Sequence, residues 1–232
     1  TIQVPKYPAI AAADLTEGSD MSSTRVNTSS VAVTVGEVGA QVILTDLAAM
    51  GAGNPADELG TVLGNAIATK IDKDLIALFN GFSTSFGATT EELTVAHLFK
   101  AAATLRNNKV TGSMACVLNP LAAYNLKANL TNTFANPNGG DLQNEAMRSG
   151  YVGSIAGIDV YESANVAVDG SGDSKGAVFA PEALAIALKS DFSLEVQRDA
   201  SLRANELNAT AVYGVAELDD DFGVEIYVDA GL

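Results

Sequence analysis

NPADELGTVLGNAIATKIDKDLIALFNG, from Asn54 to Gly81, is the longest stretch with one uninterrupted helical pattern and a signal at each end. Asn54 can cap the first free amides, Pro55 suits the first helical position, and Asp57 and Glu58 place negative charge where the helix dipole favours it. Gly81 closes the segment. At about 1.5 Å per residue the helix is roughly 40 Å long, which is long for a chain of this size. Leu59, Val62, Leu63, Ala66 and Ile67 share one apolar stripe, whereas Ile71, Leu75, Leu78 and Phe79 lie on a second stripe rotated by roughly 120°. Lys70 and Asp74, an i,i+4 pair, make the first sector polar by mid-helix. Two readings stand: a strut that packs on one body at its start and another at its end, or an ordinary core helix with a broad stripe. Gly60, Gly64 and Ala68 form a small-residue row that either admits another backbone closely or is simply tolerated, at about 1 kcal/mol per glycine.

Upstream, residues 1 to 22 carry Pro5 and Pro8, a run of small residues and the turn-prone EGSDMSS, and read as an extended arm with no core of its own. From Thr24 the pattern turns to β, with Val31, Val33 and Val35 alternating, Gly36 and Gly39 as turn residues, and then AQVILTD. So long an element with few large aromatics needs support from the arm, the long helix or another subunit. Downstream, GFSTSFGATTEEL is a loop, and Thr94 to Asn107 is a second helix with Val95, Leu98, Phe99, Ala102 and Leu105 inward. SMACVL, Ser113 to Leu118, reads as a doubly buried strand, and Asn119-Pro120 opens a third helix, LAAYNLKANL. A flexible loop is expected around Asn132 to Asp141. Next comes GYVGSIAGIDVYES, with a strand at Ile158 to Tyr161, and GAVFAPEALAIALKS, a strand followed by a short apolar helix. SLEVQRD, NATAVYGVAEL and FGVEIYVDA close the chain as strands, the last two joined across Asp219, Asp220 and Asp221.

The chain has 232 residues, 47% hydrophobic and 18% charged, enough to bury a core in one large or two small domains. Its formal net charge of -15, with 13 basic residues spread along the sequence, argues against a phosphate-binding surface. Cys116 is the single cysteine, so an intrachain disulfide framework is excluded, in keeping with a reducing cytoplasm. No apolar run is long enough to span a bilayer as a helix, and the N-terminus lacks a secretion-signal pattern. Thr1 fits either removal of a methionine or trimming of a precursor.

No catalytic constellation is assembled by sequence, and no catalytic, cofactor-binding or metal residue is assigned. His97 sits on the polar side of the second helix without a visible partner, and Cys116 falls in a buried strand, where a thiol is a small hydrophobe. DGSGDSK sets Asp169, Ser171 and Asp173 at alternate positions, as in a calcium loop. Ser174 at the sixth position and Ala180 at the twelfth break that pattern, so a turn is expected. Asp219, Asp220 and Asp221 could meet a hard cation, but three acids at a hairpin tip are ordinarily a solvated turn. The glycines form neither a phosphate-binding loop nor a dinucleotide fingerprint.

The order of elements nevertheless resembles a known family. VAVTVGEVGAQVILTD ahead of a long helix, then VLNPLAAYNL, GYVGSIAGIDVYES, GAVFAPEALAIA and VYGVAELDDDFGVEIYVD resemble the tailed-bacteriophage major capsid protein, the Hong Kong 97-type fold. The resemblance covers nearly the whole chain. It implies an α+β fold with residues 1 to 14 as N-terminal arm, 15 to 46 as extended loop, and 47 to 91 with 191 to 232 as a peripheral domain around a spine helix at 54 to 81. Residues 92 to 190 would be the axial domain. It also implies self-assembly of hexamers and pentamers into an icosahedral shell around double-stranded DNA, with the extended loop across a neighbour and no enzymatic activity or cofactor. Scaffolding, portal and cement proteins would be partners, with assembly in the host cytoplasm and no membrane. The acidity would leave packaged DNA free of specific binding. In the type member a loop lysine is cross-linked to a neighbour, but residues 7 to 69 here contain no lysine, so no such bond is expected. An encapsulin-like shell around enzyme cargo, and a soluble α/β enzyme or ligand-binding domain built on the Ser113 to Leu118 strand, are the competing readings.

Overall fold

In a computed structural model, residues 1–8, 10–18, 20, 25–51, 55–133 and 151–231 are described. Asn54, and residues 134 to 141 of the expected loop, fall outside them. The chain begins with β1 (Ile2–Lys6), which pairs antiparallel with β2 (Ser29–Val33), Val4 opposite Val31. The expected arm and extended loop are therefore two limbs of one ribbon, and the division drawn at residue 14 falls inside their connection. The β element is steadied by the arm, one of the three supports anticipated. Then follow β3 (Gly36–Thr45), α1 (Asp46–Gly51) and α2 (Pro55–Ala77), which tightens into a 3-10 turn at Leu78–Gly81.

The middle of the chain supplies β4 (Ser85–Phe86), α3 (Val95–Asn107), β5 (Met114–Leu118), α4 (Pro120–Thr133), β6 (Tyr151–Ile155), β7 (Ile158–Glu162) and β8 (Asp173–Phe179). Two long strands, β9 (Leu184–Asp199) and β10 (Ala204–Glu217), precede a 3-10 turn at Asp220–Phe222 and the strand β11 (Gly223–Asp229). They form a β3-β10-β9 sheet and a larger sheet of order β4-β11-β8-β5-β7-β6.

Two expectations fail here. The short helix after GAVFAP is instead the start of β9: Leu184, Ile186 and Leu188 pair with Glu217, Val215 and Tyr213. The helix-forming alanines and leucines are overridden by this pairing. β10 and β11 also do not form a hairpin, since β11 pairs with β8 and β4 in the other sheet. A boundary at residue 190 thus matches no sheet boundary: β9 crosses it, and β11 returns to the sheet of β5.

The long helix has the character of a strut. Leu63 and Ile67 are buried with Leu59 and Ile71 against Leu44, Leu207, Ala209, Ala211 and Tyr213 of the three-stranded sheet. Ile76 and Phe79 pack instead with Phe82, Ala177, Phe179 and Ala183 at the larger sheet. Ile71 thus belongs to the first contact rather than the second, and Val62 is exposed on the flank. Between the contacts the helix is polar on purpose-built partners. Asp72 accepts from Asn165 Nδ2 at 2.5 Å and Ser163 Oγ at 3.2 Å, beyond β7, while Asp74 accepts from Tyr213 Oη at 2.7 Å and pairs with Lys70. Burial pushes Asp74 up, but the hydrogen bonds from Lys70 and Tyr213 outweigh it and hold the carboxyl below its usual value.

The main core lies between the larger sheet and α3 and α4, with Leu98, Leu105, Cys116, Leu126, Val160 and Ile226 fully buried. Phe99, expected inward, is exposed. Backbones cross closely where the start of β3 meets β10: a Cβ on Gly214 would come within 2.4 Å of the Thr34 carbonyl oxygen.

Candidate functional site

Each chemically suggestive residue has a structural occupation. The amide of Thr94 donates to His97 Nδ1 at 3.3 Å, closing the N-terminus of α3, and His97 Nε2 faces the Glu91 carboxylate at 3.5 Å. His97 is a capping residue, a role readable from Thr94 three positions earlier. Cys116 is fully buried in β5, and burial pushes its thiol well above the usual range.

Asp169 accepts from the amides of Ser171 at 2.8 Å and Asp173 at 3.0 Å, which makes DGSGDSK the expected turn. Those bonds hold the Asp169 carboxyl low. In the second acidic run, Asp219 accepts from the Asp221 amide and pairs with Lys6 of β1 at 2.7 Å. Asp220 accepts from the amide of Ser83 at 2.7 Å. The acids between β10 and β11 therefore tie the first ribbon and the turn after α2 to the larger sheet. Among the described residues, no three His, Cys, Asp or Glu side chains are grouped to hold a metal ion, and no helix is long and apolar enough to cross a membrane.

What the molecule does present is apolar surface without cover. Ile186, Leu188, Leu194 and Val196 of β9 lie opposite Val215, Tyr213, Ala209 and Leu207 of β10, so they stand on the sheet face that α2 covers. The helix lies mainly over β3 and β10 and reaches β9 only in part, leaving Leu188 52% and Val196 65% exposed. The helix flank facing this stripe is the small-residue row: a Cβ on Gly60 would meet only Leu194 Cδ2 at 3.8 Å, and one on Gly64 would meet nothing within 4 Å. The result is an open apolar groove beside a strand that, among the described residues, is paired on one side.

A second patch sits at the far end of the same sheet. Arg198 Nη1 and Nη2 grip Asp46 at 2.6 and 2.8 Å, a bidentate pair that holds the Asp46 carboxyl low and fixes α1 to the end of β9. Around it Leu47, Met50 and Leu202 are exposed over a shallow cavity of about 310 Å³. Finally, Tyr7, Ile10 and Leu15, in the connection between β1 and β2, project into solvent. The sequence signalled an unsupported arm and a small-residue row, but the β9 stripe was hidden by its helix-like alanines.

Comparison with known proteins gives the arrangement a context. The family model described as phage capsid protein matches residues 26–227. A search of curated protein sequences gives no significant match. In structure the chain is similar to a capsid protein of Cyanophage P-SCSP1u, with a TM-score of 0.79 at 16% identity over 98% of this chain and 83% of that one. It is also similar to the head structure of Helicobacter pylori bacteriophage KHP40, with a TM-score of 0.75 at 13% identity over 99% and 85% of the two chains. An encapsulin complex from Synechococcus elongatus PCC 7942 gives 0.66 at 14% identity over 89% and 78%.

Proposed function

Because this chain belongs to the phage capsid protein family, we propose that it assembles as hexamers and pentamers into an icosahedral shell enclosing double-stranded DNA. The protein is a structural, shell-forming capsid component with the Hong Kong 97-type fold, not an enzyme. The observation that carries the finer reading is the partly covered groove between α2 and β9, together with the exposed apolar side chains of the connection between β1 and β2. A ribbon carrying Tyr7, Ile10 and Leu15, and a groove lined by Leu188, Leu194 and Val196, leave apolar area in water that neighbours would bury.

In this reading the ribbon of β1 and β2 with its connection is the arm and extended loop, and it reaches a neighbouring subunit. The three-stranded sheet with α2 is the peripheral domain and the larger sheet with α3 and α4 the axial domain. The net charge of -15 keeps the inner wall from gripping phosphate, so DNA can be packed and released. Scaffolding, portal and cement proteins are the partners such a shell would use, with assembly in the host cytoplasm.

Electron microscopy of the purified full chain tests the reading: closed shells are expected, and a monomer or small oligomer that never closes overturns it. A second reading, a cargo-enclosing shell, is favoured by the structural likeness to an encapsulin. Nuclease-protected DNA inside purified particles supports the first; particles holding protein cargo and no DNA support the second.

A further inference from the structure

At one corner of the larger sheet, β8 and β11 pair so that Asp173 stands directly opposite Asp229, Lys175 opposite Tyr227 and Ala177 opposite Glu225. Like charges facing each other across a strand pair repel. Asp173 is 4% exposed, and its Oδ1 has no hydrogen-bond partner; its Oδ2 has only the Tyr227 hydroxyl, at 3.4 Å. The remaining charged groups at this corner do not relieve it. Lys175 is engaged by Glu225 at 3.2 Å and by Asn80, and Asp169 approaches from the turn below. Glu91 and Glu92 lie on the segment bridged to Asp229. Asp229 Oδ1 already accepts from the Gly231 amide at 2.7 Å. A buried carboxylate oxygen left without a donor is costly as an anion and comfortable once it carries a proton.

We infer that the buried Asp173 carboxyl takes up a proton within the folded chain, an acid-strengthened clasp that removes its repulsion with the facing Asp229 and steadies the pairing of β8 with β11. The proton is taken up from solvent onto Asp173, which neutralises a carboxyl whose Oδ1 has no donor and whose neighbour across the strands is also acidic. Among the described residues, no three acidic side chains are grouped to hold a metal ion. Burial, then the charges of Asp169 and Asp229, push the Asp173 carboxyl above its usual value. The sign follows: a group whose value is raised by folding stabilises the fold below its unfolded value and loses that contribution as pH rises through the folded one.

Thermal unfolding of the full chain, followed by circular dichroism between pH 4 and pH 8, tests the clasp. Asp173→Asn is expected to melt above the parent at pH 8, by about 2–4 °C for a change near 1 kcal/mol in a chain of this size. The gap should close as pH falls toward 4. Asp229→Asn should shift the same way, because either substitution removes half of the facing pair. Asp169→Asn should lower the midpoint at every pH above 4, since that carboxylate holds the turn's amides. A midpoint for Asp173→Asn at or below the parent's at pH 8, or a gap that does not change with pH, overturns the inference. So does a stabilisation of the parent by calcium that Asp173→Asn abolishes, which would assign the corner to a cation.

Discussion

Asp74 and Tyr213 show how much one polar pair contributes when it sits between two packed surfaces. The tyrosine hydroxyl, on β10, donates to a carboxylate on α2 that also holds Lys70. Tyr213→Phe is expected to destabilise the chain by about 1–2 kcal/mol at neutral pH, because it strips a donor from a charged acceptor. Asp74 is held below its ordinary value of 3.8, so its contribution is intact above that pH and is lost as pH falls through the lowered value. Urea titrations of parent and variant should therefore converge below about pH 4; parallel curves down to pH 3 would show that the pair is not what the substitution removes. Gly214→Ala acts by volume alone. The added methyl meets backbone at Thr34 and Val35 rather than a pliable side chain, and a loss of about 1–3 kcal/mol in equilibrium unfolding is expected.

At the scale of elements, α2 and β9 carry the argument. Phe79→Ala, at a site 2% exposed and in contact with Phe82 and Phe179, should cost about 3–5 kcal/mol. Its effect on hydrogen exchange should fall first on β8 and the turn after α2, not on β3; uniform loss of protection would contradict the separate contacts of the strut. Val196→Glu should leave stability within about 0.5 kcal/mol, because the side chain is exposed, yet prevent particles from forming as seen by electron microscopy. Particles formed normally by that variant would remove the β9 groove from the interface. The helix was legible because its signals are local: Pro55, the acidic first turn and the polar interruption at Lys70 and Asp74 can be read within a few turns. β9 was not, because Ala185 and Ala187 favour a helix and only the distant Ala216 and Gly214, opposite them on β10, make them a strand. The pairing of β1 with β2 was hidden for the same reason, having no tight turn to announce it. Phe99 was misplaced because the buried face of α3 runs through Leu98, Ala101, Ala102 and Leu105 and leaves it on the flank. The candidate surface was legible only in part: Gly60 and Gly64 suggested a close approach, whereas the stripe they face depends on register across β9 and β10.

For the whole molecule, the absence of lysine between residues 7 and 69 makes a definite expectation: particles boiled in detergent should return one band near 23.8 kDa, and a ladder of covalent oligomers would refute it. In the proposed shell, subunits without such bonds would rely on apolar area buried between neighbours, with Lys6 on Asp219 keeping each chain's own ribbon in place. The pairing of β3 with β10, Val38 opposite Ala211, has a further consequence for the order in which the protein is made. A growing chain that has not yet released β10 has no central strand for its three-stranded sheet, and Leu63 and Ile67 have nothing to cover them. Pairings between such distant segments form slowly, in milliseconds to seconds, and the half-finished sheet stays sticky meanwhile. Folding of this subunit therefore waits for the ribosome to pass Glu217, and a nascent chain stalled earlier should be a chaperone client rather than a partly folded domain.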